Sequence, residues 1–479
     1  MNDYTKQTLA VTIFGGQRNV TYRLYRHIAY VANPVDVNYE SLDVAVPVKI
    51  NDKDINATNA PILLIVNNAG YMASSNTATG LGRIPNDANG RSALAAGYVV
   101  VCPGLRGWNL MANSTYYGKA PAAILDLKAT VRYIRHNDYV MPGNGDWIIA
   151  YGISGGGAQS ALLGVSGNSP LYDAALEEMG AANATDNIYA SAPYYSNPDL
   201  DHADMAYEWE FGTTPIGGDL VNQTISQQLK DAFSVYQASL NLQGKNAYGN
   251  ITAENYRDYL VETYLIPSAN EYLTALTNED RETYLSSHAW ITWSNNSAAF
   301  SFEDYVAYIG RTWGLPAFDA FDLSAWGNTL FGNSTTNARH FTNFSLRYAN
   351  GDPAAEIDGE LQTTVDKMNS MYFIQMNNTD CVQYWFIRGS TKEVVTMFGN
   401  LATILENNGK DVNALLYWDE EHGINQDPEA FVLWVSEITG YPIAIPEFQA
   451  VVFLSILLMA TLSAAILSKG KQISRSGCK

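Results

Sequence analysis

The sequence predicts an α/β fold, a mostly parallel sheet with helices on both faces and a helical insertion over it. Three observations carry this. Short continuous apolar runs at 62–66 (ILLIV), 98–102 (YVVVC) and 148–151 (IIAY) have the length and saturation of strands covered on both sides. A helical pattern over about 119–136 puts Ile124, Leu127, Val131 and Ile134 on one face and Asp126, Lys128, Arg132 and Arg135 off it. The order strand, loop, strand, helix, strand is that of a parallel sheet with helices packed on it.

Ahead of these, 9–14, 20–25 and 42–48 read as strands, the last alternating Leu42, Val44 and Val46 against Asp43 and Ala45. The run 148–151 meets Gly152-Ile153-Ser154-Gly155-Gly156, and 158–165 follow as a helix with small residues toward the strand. A serine between a strand and a helix in this G-x-S-x-G pattern sits in a strained turn that projects its hydroxyl from the sheet edge. Glycines two before and two after it let the neighbouring backbone pass without Cβ clashes. The helix start aims free N–H groups at a developing oxyanion. Ser154 is the candidate nucleophile.

From about residue 191 the strand rhythm stops. Helical stretches over about 219–242 and 253–276 precede a segment rich in large aromatics, among them Trp290, Trp293, Phe300, Phe302, Trp313, Phe318, Phe321, Trp326 and Phe331. These read as the core of the insertion, with several available to line a pocket. The sheet resumes at 384–388 (YWFIR), followed by a helix over 396–407 that Gly409 stops, a strand at 414–418 (ALLYW), and a last helix over 429–439. Asp427 suits its N-cap and Pro428 its first turn. The organisation is therefore a first half of the core (1–190), a mostly helical lid (191–355), a second half of the core (356–440), a linker (441–449), an apolar span (450–468) and a basic tail (469–479).

A serine hydroxyl needs a base beside it, and the base an orienting carboxylate. Of the six histidines, only His422 comes just after the final strand, in Trp418-Asp419-Glu420-Glu421-His422-Gly423. It is the candidate base. The acid should follow the strand at 384–388, where Glu393 is best placed and Asp380 and Asp419 are the alternatives. Two backbone donors should hold an oxyanion: the N–H of Gly155, and one from the loop after 62–66, Gly70 first and Ala69 next. Asn67 and Asn68 in that loop also suit an ordinary turn. No metal or organic cofactor is implied.

With 28 basic and 48 acidic residues the net charge is −20, which speaks against nucleic acid as a partner. Cys102, Cys381 and Cys478 form no zinc spacing or disulfide framework, and whether Cys102 and Cys381 pair is open. Ten Asn-x-Ser/Thr sequons lean toward an exported glycoprotein. Residues 450–468 carry no charge and precede Lys469, Lys471, Arg475 and Lys479, the pattern of a transmembrane helix with a cytoplasmic basic stop. Pro446-Glu447-Phe448 directly ahead resembles the archaeal Pro-Glu-Phe sorting signal, which implies a sortase-like processing enzyme and anchoring at the outer face of the cell membrane. No signal peptide is visible at the N-terminus, and a missing leader is the expectation.

Taken together, the chain resembles the α/β-hydrolase superfamily and, within it, the bacterial tannase-like and feruloyl-esterase-like serine hydrolases, over roughly residues 10–438. The resemblance rests on 67–72, on Gly118-Lys119-Ala120-Pro121 with Asp126-Leu127-Lys128, on 152–160, on 199–209, on Leu330-Phe331-Gly332 and His340-Phe341-Thr342, and on Trp385-Phe386-Ile387-Arg388 with Trp418-Asp419 and His422. It implies a serine carboxylesterase for a small-molecule ester, with a helical lid, its nucleophile on Ser154, its base on His422 and its acid on Glu393. Two departures stand out. Where the family typically has Arg-His-Gly-Thr-x-Asp, this chain has Arg388-Gly389-Ser390-Thr391-Lys392-Glu393. Two residues on, where tannases place an aspartate against the galloyl hydroxyls, stands Val395, which cannot accept those hydrogen bonds. A less hydroxylated or aliphatic acyl group is expected. Two rival readings use the same residues. One is a serine peptidase, for which no peptide-terminus module is legible. The other is a surface binding protein on an inactive scaffold, which the altered acid loop favours and the intact Ser154 turn opposes.

Overall fold

Nine strands lie on one path in the central sheet: β1 (Thr5–Ile13), β2 (Gly16–Ala29), β3 (Ser41–Ile50), β4 (Ile62–Val66), β5 (Val99–Pro103), β6 (Ile148–Ile153), β7 (Ala190–Tyr194), β8 (Tyr384–Ser390) and β9 (Asp411–Tyr417). Their spatial order is β1-β2-β3-β5-β4-β6-β7-β8-β9, and a short tenth strand, Lys53–Asp54, flanks β3. The pairings from β1 through β3 to β5 are antiparallel, and all those from β5 to β9 are parallel. This computed structural model describes residues 3–75, 84, 86–377 and 379–444. The apolar span 450–468, the Pro446-Glu447-Phe448 motif and the basic tail lie outside the described residues. Among the described residues, no helix is long and apolar enough to cross a membrane.

The continuous apolar runs are strands buried on both faces, and alternation assigns each residue to a side. Leu63, Ile65, Val100 and Tyr151 join the core beneath α1 (Ala88–Ala96) and the C-terminal helix. Leu64, Val66, Val101 and Ala150 join the opposite core, under α2 (Ala122–His136), α3 (Gly155–Val165) and the insertion. The insertion leaves the sheet after β7 and returns at β8. It contributes α4 (Ala203–Phe211) and α5 (Phe302–Ile309), both central to the site. The chain ends its core with α6 (Val395–Asn407) between β8 and β9 and α7 (Pro428–Thr439) after β9.

The structure departs from the sequence reading in four places. Strand β7 (ASAPY) was not legible, because small residues and Pro193 carry no strand signal. Its residues are small because α3 presses on it, with Ser191 Oγ donating to the Ser160 carbonyl at 2.8 Å. Helix α1 is likewise unannounced; Asp87 caps it by accepting from Gly90 N at 2.7 Å. The helix expected over 253–276 is instead Tyr256–Leu260 and Ile266–Ala275, joined by a wide turn of π type at Val261–Leu265. Pro267 has no N–H to offer the preceding turn, and the wider turn accommodates that loss. Asp427 does stand at the N-cap of α7, yet its carboxylate makes no cap bond. It accepts from Arg388 Nε at 2.7 Å and from the Tyr417 hydroxyl instead.

Candidate active site

Five loops leave the carboxyl ends of β4, β6, β7, β8 and β9 on one edge of the sheet, the usual place for a site in a parallel sheet. Among the residues lining a cavity of about 380 Å³ there are Gly70 after β4, Ser154 and Gly155 after β6, Tyr195 after β7, Glu393 after β8 and His422 after β9.

Ser154 sits between β6 and α3 with φ 62° and ψ −124°, a left-handed conformation that costs a non-glycine residue energy. The turn holds it there: Ser154 N donates to Tyr194 O and Ala158 N to Ser154 O, both at 2.9 Å. The flanking glycines are needed for close approach. A Cβ on Gly152 would lie 2.4 Å from the Gly156 carbonyl oxygen, and one on Gly156 would lie 2.1 Å from that of Val66. The N–H of Gly155, in the first turn of α3, has no intrahelical acceptor. Gly70, with φ 58°, lines the same cavity, whereas Ala69 does not. Its neighbour Tyr71 N is committed to Asn68 O at 2.9 Å.

His422 Nδ1 lies 2.7 Å from Glu393 Oε1. This hydrogen bond, helped by the carboxylate charge and opposed by partial burial, raises the His422 pKa above its usual value. The loop carrying His422 is tied at four places. Ser390 Oγ donates to Glu420 O at 2.5 Å, Lys392 Nζ to Glu421 Oε1 at 2.8 Å, Tyr195 Oη to Ile424 O at 2.7 Å, and Asn425 Nδ2 to Asn89 Oδ1 at 2.9 Å. Tyr195 has a positive φ of 52° and stands edge-on to the His422 ring at 5.2 Å. Nothing in the sequence marks Tyr195 for this place, because its partners come from other loops.

The alternative acids are used elsewhere. Asp419 accepts from Tyr284 Oη at 3.1 Å and Tyr308 Oη at 2.7 Å and pairs with Lys392 Nζ at 3.4 Å, which fastens the insertion to the sheet. Asp380 precedes β8, at the opposite edge, and accepts from Asn168 Nδ2 at 2.6 Å. Three further histidines have structural partners: His202 with Asp199 at 2.7 Å, His288 with the Tyr308 hydroxyl at 3.0 Å, and His340 with Asp319 at 2.8 Å. Asp199, Asp201 and His202 are close enough together to hold a cation. Their carboxylates already take the Asn369 amide, the Tyr236 hydroxyl and His202 as donors.

Most of the remaining wall is apolar, with Ser196, Asn197 and Thr312 as its neutral polar members beside Arg388, Ser390 and Lys392. Tyr207, Phe211, Ile309, Trp313, Phe318 and Trp326 come from the insertion, facing Val394, Met397, Phe398 and Leu416 from the sheet side. Part of the aromatic segment is therefore pocket wall rather than insertion core. Trp290 and Phe300 instead pack on Trp418, with ring centroids 6.2 and 5.5 Å away. Val395 is buried at the start of α6 and does not reach the cavity surface.

Comparison with known proteins agrees with this geometry. Residues 48–237 match the family model described as BD-FAE. Esterase LipQ of Mycobacterium tuberculosis is 33% identical over 88 residues, 18% of this chain and 20% of that protein. The Fusobacterium nucleatum tannase structure is 32% identical, with a TM-score of 0.77 over 91% of this chain and 98% of that one. The tannin acyl hydrolase of Lactobacillus plantarum is 30% identical, with a TM-score of 0.77 over 90% and 97%. A tannin acyl hydrolase in complex with ethyl gallate is similar over the same shares, with 30% identity and a TM-score of 0.78. The chain belongs to the tannase family, ester hydrolases built on the α/β-hydrolase fold.

Proposed function

We propose that the protein is a serine carboxylic ester hydrolase that works through an acyl-enzyme. The observation that carries this is the meeting, on one cavity, of a serine in a strained strand-to-helix turn with a hydrogen-bonded His422–Glu393 pair. Ser154 Oγ attacks the ester carbonyl carbon and its proton passes to His422 Nε2. The N–H groups of Gly155 and Gly70 receive the oxyanion. The tetrahedral intermediate collapses, the alcohol leaves with the proton from His422, and water then releases the acid by the same path in reverse. Glu393 accepts from His422 Nδ1, which orients the ring with Nε2 toward Ser154 and stabilises the imidazolium that forms.

The acyl group this cavity suits is apolar, either an aryl group with few hydroxyls or an aliphatic chain. The charged side chains among its described lining residues are already engaged: Arg388 with Asp427, Lys392 with Glu421, and Glu393 with His422.

The test is labelling with a fluorophosphonate, wild type beside Ser154→Ala, followed by kcat/KM on ethyl gallate, ethyl benzoate and p-nitrophenyl butyrate. One labelled site lost in the variant supports the serine mechanism. Absence of labelling in folded wild type defeats it. A preference for ethyl gallate over the other two esters would defeat the apolar acyl assignment alone.

The apolar run 450–468, with its basic tail, supports anchoring at the outer face of a membrane, and Pro446-Glu447-Phe448 supports processing by a sortase-like enzyme. Fractionation of the full chain against one ending at 444 tests the anchor: both in the soluble fraction would reject it.

A further inference from the structure

The helix that follows the candidate acid starts without a local cap. At the N-cap of α6 stands Val394, whose side chain accepts nothing. The first N–H groups of any helix need acceptors from outside it. Here they find one in the insertion. The carboxylate of Glu210, buried near the end of α4, accepts from Val395 N at 3.4 Å, and from Thr396 N and Thr396 Oγ1 at 3.3 Å each. Glu393 lies immediately ahead of this cap.

The segment 391–396 is held by the insertion on both sides of Glu393. Before it, Tyr305 Oη of α5 donates to Thr391 O at 2.5 Å. After it come Glu210 and Tyr256 Oη, the latter donating to Thr396 O at 2.9 Å. Glu210 shares its helix with two cavity-lining side chains, Tyr207 and Phe211, and Tyr305 shares α5 with a third, Ile309. That helix also shapes the facing wall. Tyr207 Oη accepts from Trp313 N at 2.9 Å, Glu208 pairs with Arg311 at 2.5 Å, and Asp204 accepts from Phe318 N at 2.7 Å.

We infer that Glu210 is a positioning residue for catalysis: by capping α6 from the insertion it sets the place of Glu393, and through it His422. This rests on the serine hydrolase reading above. The arrangement makes the substrate wall and the orientation of the acid joint properties of the insertion, with α4 supplying both the cap and two wall residues, so the catalytic pair is complete only when the insertion is seated. Burial pushes the Glu210 carboxyl up to about 8, against the pull of the α6 N–H groups and of Arg257. A buried acid is costly to keep. In either protonation state its carbonyl oxygen still accepts from α6.

The experiment compares Glu210→Ala, Glu210→Gln, Val394→Ser and the double variant Glu210→Ala/Val394→Ser in the full chain, with Ser154→Ala as the blank. Serine at 394 supplies the missing cap locally. Expected for Glu210→Ala is a fall in kcat of about tenfold or more, with KM within about twofold. The acid limb of kcat/KM should move to lower pH as His422 loses its partner. In the Val394→Ser background the Glu210→Ala penalty should shrink at least about threefold, since the two caps serve one helix end. Glu210→Gln, which keeps one acceptor and the side-chain volume, should fall in between, and it carries the test if Glu210→Ala does not fold. Folded Glu210 variants with wild-type kcat and an unmoved acid limb overturn the inference, as does an undiminished penalty in the Val394→Ser background. An inactive wild type, or activity retained by Ser154→Ala, would instead defeat the hydrolase reading itself.

Discussion

His422 and Glu393 are 29 residues apart in the chain and joined by a 2.7 Å hydrogen bond, with α6 and β9 filling the interval between them. Their bond is set by the register of β8 on β9, in which Ser390 lies opposite Tyr417. One residue of slip would carry the two loops past each other.

Glu393→Gln should lower kcat by about a thousandfold to ten-thousandfold, because the imidazole loses the partner that fixes its tautomer and stabilises its charge. The pH profile gives a second signature. Glu393 raises the His422 pKa, and a base must be neutral, so kcat/KM of the wild type falls as pH drops through that raised value. In Glu393→Gln the acid limb should move to lower pH. A limb that stays in place would mean that Glu393 is not the partner of His422 in solution.

Gly156→Ala should destabilise the fold by about 3 kcal/mol and remove fluorophosphonate labelling. Its Cβ would meet the Val66 carbonyl oxygen at 2.1 Å, with Val66 C and Asn68 N next, all of them backbone that no side-chain rotation can move aside. Urea unfolding measures the first effect; a midpoint equal to that of the wild type would contradict it.

Tyr195→Phe should keep the edge-on ring contact with His422 and lose the bond to Ile424 O. The loss is worth about 1 kcal/mol, so a fall in kcat of about three- to tenfold is expected with little change in KM. Steady-state kinetics on one apolar ester is sufficient, and an unchanged kcat would show that the His422 loop does not need this tether.

Stability should decline as pH rises from 5 to 8. Burial pushes Asp87 and Asp126 up to about 6, Asp204 up to about 7 and Glu210 up to about 8. Each folded-state value lies above the unfolded one, so the folded protein binds protons more tightly. The stability gained is full below the unfolded pKa and is lost as pH rises through the folded value, by about 1.4 kcal/mol per pH unit for a single group between those two values. The raised His422 adds to the same trend. Asp186 and Asp199, whose values are lowered, act only at more acid pH. Thermal melts across pH 5 to 8 check this, and a melting temperature that is flat or rising over that window would refute it.

Much of the fold was legible from residue order, for a local reason. Saturated runs such as 62–66, and the Gly152-to-Gly156 turn before a small-residue helix, carry their own periodicity and steric demands, so β4, β6, α3 and the Ser154 turn could be read directly. The order of the elements likewise marked His422 and Glu393 as candidates, and the structure places the two in hydrogen-bond contact at the cavity. What tertiary structure alone decided lies where the signal is not local. Strand β7 is a strand because β6 and β8 pair with it on either side. Asp419, next to the end of β9, is taken from the site by two tyrosine hydroxyls of the insertion, and Tyr195 meets His422 only because β7 and β9 end at the same edge. Glu210 caps a helix 185 residues away. Periodicity and caps act within a few residues of the chain. Partners for buried charge and for orphan N–H groups are found through space, and only packing brings them together.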